Sequence, residues 1–181
     1  VFAGDDYVRS VRSGYTQVYE IDAPPAAVWP WLIQVGYGRA GWYNVDAINR
    51  LASSEYFYEG GRSARRVIPE LQSLAPGDTI YLVPQVGQEV VELVPGERLL
   101  LVGNPRERDA AENASWLFEL REQPGEDSGP SRTLLVVRFR STFAGGLGAR
   151  LVYGLVNEIG GAIIQQPAMA WGLARRATGR L

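Results

Sequence analysis

The sequence contains no cysteine, no histidine and no lysine, so all 18 of its basic residues are arginine. Without cysteine there is no disulfide framework, no thiolate nucleophile and no thiolate metal site. Without histidine there is no Ser-His-Asp triad, no imidazole base near neutral pH and no imidazole metal ligand. Without lysine there is no Schiff base. The chemistry left to the chain is that of Asp, Glu, Tyr, Ser, Thr and Arg. An excess of either charge is also lacking: 18 basic residues face 20 acidic ones, for a formal net charge of −2. No general attraction to nucleic acid or to an anionic membrane follows, and the only compact basic cluster is Arg62, Arg65 and Arg66. The chain begins at Val1 and its one methionine is Met169, so it reads as a trimmed or processed product.

What is present fits a single domain over 1–181, with residues 1–14 as an irregular N-terminal arm. A chain of this length buries roughly 70% of its unfolded surface. Leu151 to Ala174 carries one formal charge, Glu158, and is long enough to span a bilayer. Asn157, Glu158, Gln165, Gln166 and Pro167 sit at its middle, where polar groups cost most, so no membrane span is expected. The expected location is cytoplasmic, and the oligomeric state stays open.

Residues 16–22 alternate as a strand with Tyr19 and Ile21 on one side. Pro24 and Pro25 then suit the first turn of a helix carrying Val28, Trp29, Leu32 and Ile33, which Pro30 kinks or confines to its first turn. Gly36 and Gly38 end it, and 42–52 reads as a second helix on Val45, Ile48 and Leu51. After an irregular, arginine-bearing stretch at 53–76 the texture changes to strands at 78–83, 88–94, 98–103, 114–122 and 132–141. In the fourth of these Trp116, Phe118 and Leu120 share a face opposite Glu119 and Arg121. In the fifth Leu135, Val137 and Phe139 oppose Arg138 and Arg140, the alternation of a half-buried antiparallel sheet. Finally 147–178 is a long helical pattern with Val152, Leu155, Val156, Ile159 and Ile163 along one side, bent by Gly160-Gly161 and Pro167. The expected class is α+β: a curved antiparallel sheet of six or seven strands wrapped on a long C-terminal helix, with two short helices after the first strand. Such a helix buries its stripe by lying across the concave face, which leaves a cavity between the two.

The run Ile21-Asp22-Ala23-Pro24-Pro25-Ala26-Ala27-Val28-Trp29-Pro30-Trp31-Leu32 resembles the opening strand and helix of the START/polyketide-cyclase superfamily, whose fold is the helix-grip. Gln34-Val35-Gly36, Gly38-Arg39-Ala40-Gly41-Trp42-Tyr43, Ile68-Pro69-Glu70-Leu71-Gln72 and Pro76-Gly77-Asp78 are similar to one bacterial branch of it. The resemblance runs from about Gly4 to Ala177. It implies a helix-grip fold, but that superfamily includes lipid carriers, hormone receptors and aromatase/cyclases, so it does not choose a function. No catalytic set comes with it.

Gly36-Tyr37-Gly38-Arg39-Ala40-Gly41 matches G-x-G-x-x-G, yet a helix precedes it and no βαβ unit follows. It reads as a glycine-rich corner rather than a dinucleotide loop. Strand parity points Trp116 and Phe118 at the concave side; Trp42 and Tyr43 fall near the cavity mouth, and Trp171 joins them from the last helix. Arg39, with Arg62, Arg65 and Arg66, could receive a carboxylate or phosphate there. The alternative is a solvated surface paired with Glu55, Glu59 and Glu70. Glu158, if it faced the cavity, would be a general acid or base with a raised pKa; otherwise it is exposed or paired with an arginine. Glu89 and Glu92 face opposite sides of a strand, so no carboxylate pair and no metal site is indicated, and no cofactor is called for. Asn113-Ala114-Ser115 fits a glycosylation sequon.

Arg39, Trp42, Tyr43, Trp116, Phe118, Glu158 and Trp171 are thus the candidate ligand-binding residues. The expected partner is a small apolar molecule, aromatic or lipid-like, held between sheet and C-terminal helix, with no nucleic acid. The alternative is a cyclase/dehydratase or hydrolase-type enzyme acting on a polyketide-like substrate in the same cavity.

Overall fold

A computed structural model describes residues 2–52, 57, 58, 60–108, 110–125 and 129–181, without the side chains of Leu51, Ala52, Val156, Asn157 and Glu158. Six strands form one antiparallel sheet: β1 (Ser13–Ile21), β2 (Thr79–Val83), β3 (Val86–Val94), β4 (Arg98–Val102), β5 (Asn113–Gln123) and β6 (Arg132–Thr142). Their spatial order is β1-β6-β5-β4-β3-β2, so β2 to β6 run as a meander and β1 closes the far edge against β6. This is the helix-grip arrangement, at the lower of the two expected strand numbers.

Register stacks side chains in rows across the sheet, because residues directly opposite share a face. One row reads Tyr15, Phe139, Trp116, Leu101 and Val90. The next reads Gln17, Val137, Phe118 and Leu99. Phe118, Leu99, Leu101, Val137 and Val90 belong to the main core, with Trp116 packed against it. The opposite face carries a smaller cluster of Leu100, Val102 and Leu117, covered by Phe2, Ala3 and Tyr7 of the N-terminal segment. Gly4 allows that approach: its φ is +86°, and a Cβ there would lie 2.6 Å from Leu100 Cδ1. Asp5 then reaches Arg138 at 2.7 Å and Arg140 at 3.0 Å, so these two arginines face away from the core and are ion-paired there.

Helix α1 (Pro25–Leu32) begins on Pro25, whose missing N–H is one of the unpaired amides of any helix start. Pro30 lies inside it and Leu32 ends it, with Val28 and Leu32 buried. Helix α2 (Asp46–Ala52) is shorter than the expected 42–52. Tyr43 has φ +56°, outside any right-handed helix, so Trp42 and Tyr43 belong to the approach rather than to the helix. The glycine corner closes on itself through Gly36 N–H to Gly41 O and Gly41 N–H to Gly36 O, both 3.2 Å, and among the described residues no βαβ unit follows it.

The C-terminal element corrects one expectation. It runs as α3 (Leu147–Tyr153), a π-helical stretch Gly154–Gln165 and α4 (Gln166–Ala177). The expected stripe is not buried: Val152 is 61% exposed, Leu155 62%, Ile159 48% and Ile163 66%. In the π-helical stretch each turn closes over five residues, as where Gln166 N–H reaches back to Gly161 O. Spacing of four still keeps Leu155, Ile159 and Ile163 near one side, but that side is the exposed one. The residues that bury instead are Ala162, Gln166, Met169, Ala170 and Leu173. The element packs on α1 and β1, and Gln17 Nε2 donates to Ala162 O at 2.9 Å. Among the described residues no helix is long and apolar enough to cross a membrane.

Candidate functional site

Between the concave face and the C-terminal element lies a cavity of about 560 Å³. The sheet supplies Tyr15 and Trp116 from the row traced above, with Leu82 and Val83 from β2. Trp42 arrives from the approach to α2 and Ile48 from α2 itself. The roof is Leu155, Gly160, Gly161 and Gln165 of the π-helical stretch, then Met169 of α4. No charged side chain lines it among the described residues.

Its wall is aromatic and ordered. The Trp42 and Trp116 rings stack at 5.1 Å with 18° between planes, and Phe118 backs Trp116 at 4.9 Å. Phe139 meets Trp116 edge-on at 6.1 Å and stacks on Tyr15 at 5.5 Å. Three polar atoms of lining residues are shielded from water without a hydrogen-bond partner: the indole N–H groups of Trp42 and Trp116, and Gln165 Oε1. Each such group typically costs about 1–3 kcal/mol, so the wall holds unmet donors and an unmet acceptor. Burial, with a small addition from Tyr19, pushes the Tyr15 phenol well above its ordinary value. At neutral pH it is protonated, and its hydroxyl donates to Gln166 Oε1 at 3.5 Å.

The sequence-derived residues separate into three groups. Trp42 and Trp116 line the cavity, and Phe118 is fully buried behind them. Tyr43 faces away: its hydroxyl accepts from Gln34 Nε2 at 2.7 Å and donates to Trp31 O at 3.1 Å. Burial raises its pKa against the opposing pull of Gln34, Arg176 and Arg39. Arg39 is not at the mouth; Nε donates to Val35 O at 3.1 Å and Nη2 to Ile33 O at 2.9 Å and Leu71 O at 3.2 Å. Trp171 is 63% exposed and lines a second, separate pocket under Arg175. The side chain of Glu158 lies outside the described residues, as do Glu55 and Glu59. The sequon asparagine is buried and bonded, Asn113 Nδ2 donating to Asn104 O at 3.0 Å and Tyr7 O at 3.2 Å.

Gln34 stood in the sequence only as part of the Gln34-Val35-Gly36 resemblance and not as a site residue, yet it holds the site's floor together. It is fully buried and uses both ends of its amide. Nε2 donates to Tyr43 Oη and to Arg66 O at 3.1 Å, while Oε1 accepts from Ile68 N–H at 2.9 Å and Gln72 Nε2 at 3.2 Å. These bonds tie α1, the glycine corner and the 66–72 segment into one support beneath Trp42.

No protein-family model matches the chain, and no curated protein matches it significantly. Among solved structures, protein MLL2253 from Mesorhizobium loti is similar at 18% identity over 91% of this chain and 98% of that one, with a TM-score of 0.45. CalU16 from Micromonospora echinospora is similar at 15% identity over 92% and 84%, with a TM-score of 0.39. Ara h 8.0201 is similar at 12% identity over 92% and 98%, with a TM-score of 0.41. Likeness at that level carries no argument for this chain, whose fold rests on its own strand order and register.

Proposed function

We propose that the chain is a binding protein for an uncharged, ring-bearing apolar molecule, held between the concave face of the sheet and the C-terminal element. The observation that carries this is the stacked Trp42–Trp116 pair in a cavity with no charged lining among the described residues. Burying an unpaired charge is expensive, so such a wall selects neutral ligands, and flat aromatic faces favour rings. The unmet indole N–H groups and Gln165 Oε1 favour a ligand bearing a carbonyl and a hydroxyl, reached by a small rotation of these side chains. The motif run at 21–32 supports placing the chain with the START/polyketide-cyclase superfamily. A cyclase or dehydratase using this cavity would need a base, and the raised pKa of Tyr15 argues against its phenol serving as one.

The test is titration with the neutral dye Nile red, read by its own emission and by quenching of tryptophan fluorescence. Saturable binding is expected in the wild type, with at least about tenfold weaker binding in Trp116→Ala. Gly160→Phe is expected to abolish it, because a side chain there meets only Leu155 O at 3.7 Å and grows into the cavity. Binding that survives Gly160→Phe unchanged would place the ligand elsewhere and overturn the proposal.

A further inference from the structure

The second pocket, about 270 Å³, differs from the first in having charged residues in its lining. Its walls are Arg62, Ser63 and Arg65 of the segment after α2, Asp46 at the start of α2, and Arg175 and Arg176 of α4. Four arginines and one acidic side chain, Asp46, thus share its lining with Tyr43, Trp171 and Leu181. That carboxylate is already engaged: Asp46 Oδ1 accepts from Ser63 Oγ at 2.6 Å and Oδ2 from Ser63 N–H at 2.9 Å.

Arg175 and Arg176 are held in place, while Arg62 and Arg65 are exposed. Arg176 is anchored by Nε to Ala64 O at 2.8 Å and Nη1 to Gly172 O at 2.9 Å, with its plane 4.2 Å over the Tyr43 ring. Arg175 donates from Nε to Arg180 O at 2.7 Å and lies 4.7 Å over the Trp171 ring. Arg62 and Arg65 make no ion pair with a described residue. Burial draws the Arg176 guanidinium below its usual range; Tyr43 and Asp46 oppose this, while the like charges of Arg65 and Arg175 add to it. The fold therefore gathers cations that repel one another around a space of about nine water volumes.

We infer that this arginine pocket binds a phosphoryl group, either as a free phosphate or phosphomonoester or as the head of an anionic lipid. Guanidinium groups bind phosphate oxygens through charge-assisted N–H donors, and the hydrogen bonds and ring contacts of Arg175 and Arg176 position them before the ligand arrives. A dianion would replace the mutual repulsion of Arg65, Arg175 and Arg176 with attraction. The site is lined separately from the aromatic cavity, meeting it only at Asn44, and stands whether or not that cavity binds a neutral ligand.

The experiment measures inorganic phosphate binding by calorimetry at low ionic strength, and in parallel sedimentation with vesicles of phosphatidylcholine with and without phosphatidic acid. Both use the wild type, Arg65→Gln/Arg175→Gln, and the charge-matched control Arg106→Gln/Arg121→Gln, whose sites lie on the β4–β5 connection and on β5. Circular dichroism checks that each variant is folded. Saturable phosphate binding weakened at least about tenfold in the pocket variant alone supports a free phosphate ligand. Vesicle binding that needs phosphatidic acid and fails only in the pocket variant supports a lipid headgroup. Absence of both, or equal losses in the control variant, overturns the inference. If Nile red binding fails while phosphate binding holds, the neutral-ligand proposal falls and this one remains.

Discussion

Gly172 offers a severe test, because two known effects of one substitution oppose each other there. It lies within α4, where replacing glycine by alanine normally gains up to about 1 kcal/mol of helix stability. A Cβ at this position would stand 2.0 Å from Tyr43 O and 3.0 Å from Tyr43 C. Ordinary carbon–oxygen contacts are about 3.3 Å or longer, so α4 or Tyr43 must retreat by about 1.3 Å. Tyr43 is poorly able to yield: Gln34 and Trp31 hold its hydroxyl, Arg176 covers its ring, and its φ is +56°. A clash between backbones belongs at the upper end of overpacking costs, about 3 kcal/mol, so the net expectation is a loss of about 2 kcal/mol. In a chain of this length that lowers Tm by about 4–8 °C. Gly148→Ala, in α3 with nothing within 4 Å of its Cβ, is the control and should be neutral or stabilising. Thermal and urea unfolding of both variants decide the matter. A Gly172→Ala protein as stable as the wild type would mean that α4 is not seated on Tyr43 in solution.

Gln34→Met should cost about 2–5 kcal/mol, since Ile68 N–H and Arg66 O lose a buried partner; a shift of the urea midpoint worth less than about 1 kcal/mol would refute the role given to it. Burial alone would raise the Asp5 pKa, but bonds from Arg138 and Phe2 N–H and the charges of Arg138 and Arg140 hold it below the ordinary carboxylate range. The stabilisation tied to that depressed pKa is therefore present above the unfolded value of about 3.9 and lost as pH falls through the folded one. Melts across acidic pH should show the advantage of wild type over Asp5→Asn shrinking in that window, and an advantage that grows on acidification would contradict the pairing. Tyr15→Phe should leave Nile red affinity within about threefold, because its hydroxyl makes only a 3.5 Å contact to Gln166; a larger loss would make that hydroxyl a ligand donor.

The sheet was legible because half-buried strands alternate visibly: β5 and β6 lie within a residue or two of where the pattern of Trp116, Phe118, Arg138 and Arg140 places them. The start of α2 was not, since the positive φ of Tyr43 accompanies contacts from Gln34 and α4 that no local pattern contains. The buried face of the last helix was not legible for a different reason: the apolar stripe of Val152, Leu155, Ile159 and Ile163 is its exposed side, and the side that buries carries Ala162, Gln166, Met169, Ala170 and Leu173. At the candidate site the aromatic residues stood out by type, but Gln34 resembles any polar residue at a helix end. Arg39 looked available because its partners are backbone carbonyls, one of them brought from Leu71. Arg175 and Arg176 could not be joined with Arg62 and Arg65 from spacing, since more than 100 residues separate the two pairs.

The edge position of β1 has a consequence for how the chain reaches this state. Hairpins β2–β3, β3–β4, β4–β5 and β5–β6 each close over a short connection, so the meander assembles from contacts near in sequence. β1 pairs only with β6, through partners such as Ser13 and Ser141, more than 110 residues apart. Closing so long a loop carries an entropic cost that none of the hairpins meets. During synthesis the first strand therefore leaves the ribosome with no partner in existence and waits until β6 has been made. Throughout that interval Tyr15 and Tyr19 are exposed to whatever binds nascent chains, and the cavity, which needs Tyr15 as one wall, is the last part of the molecule to exist.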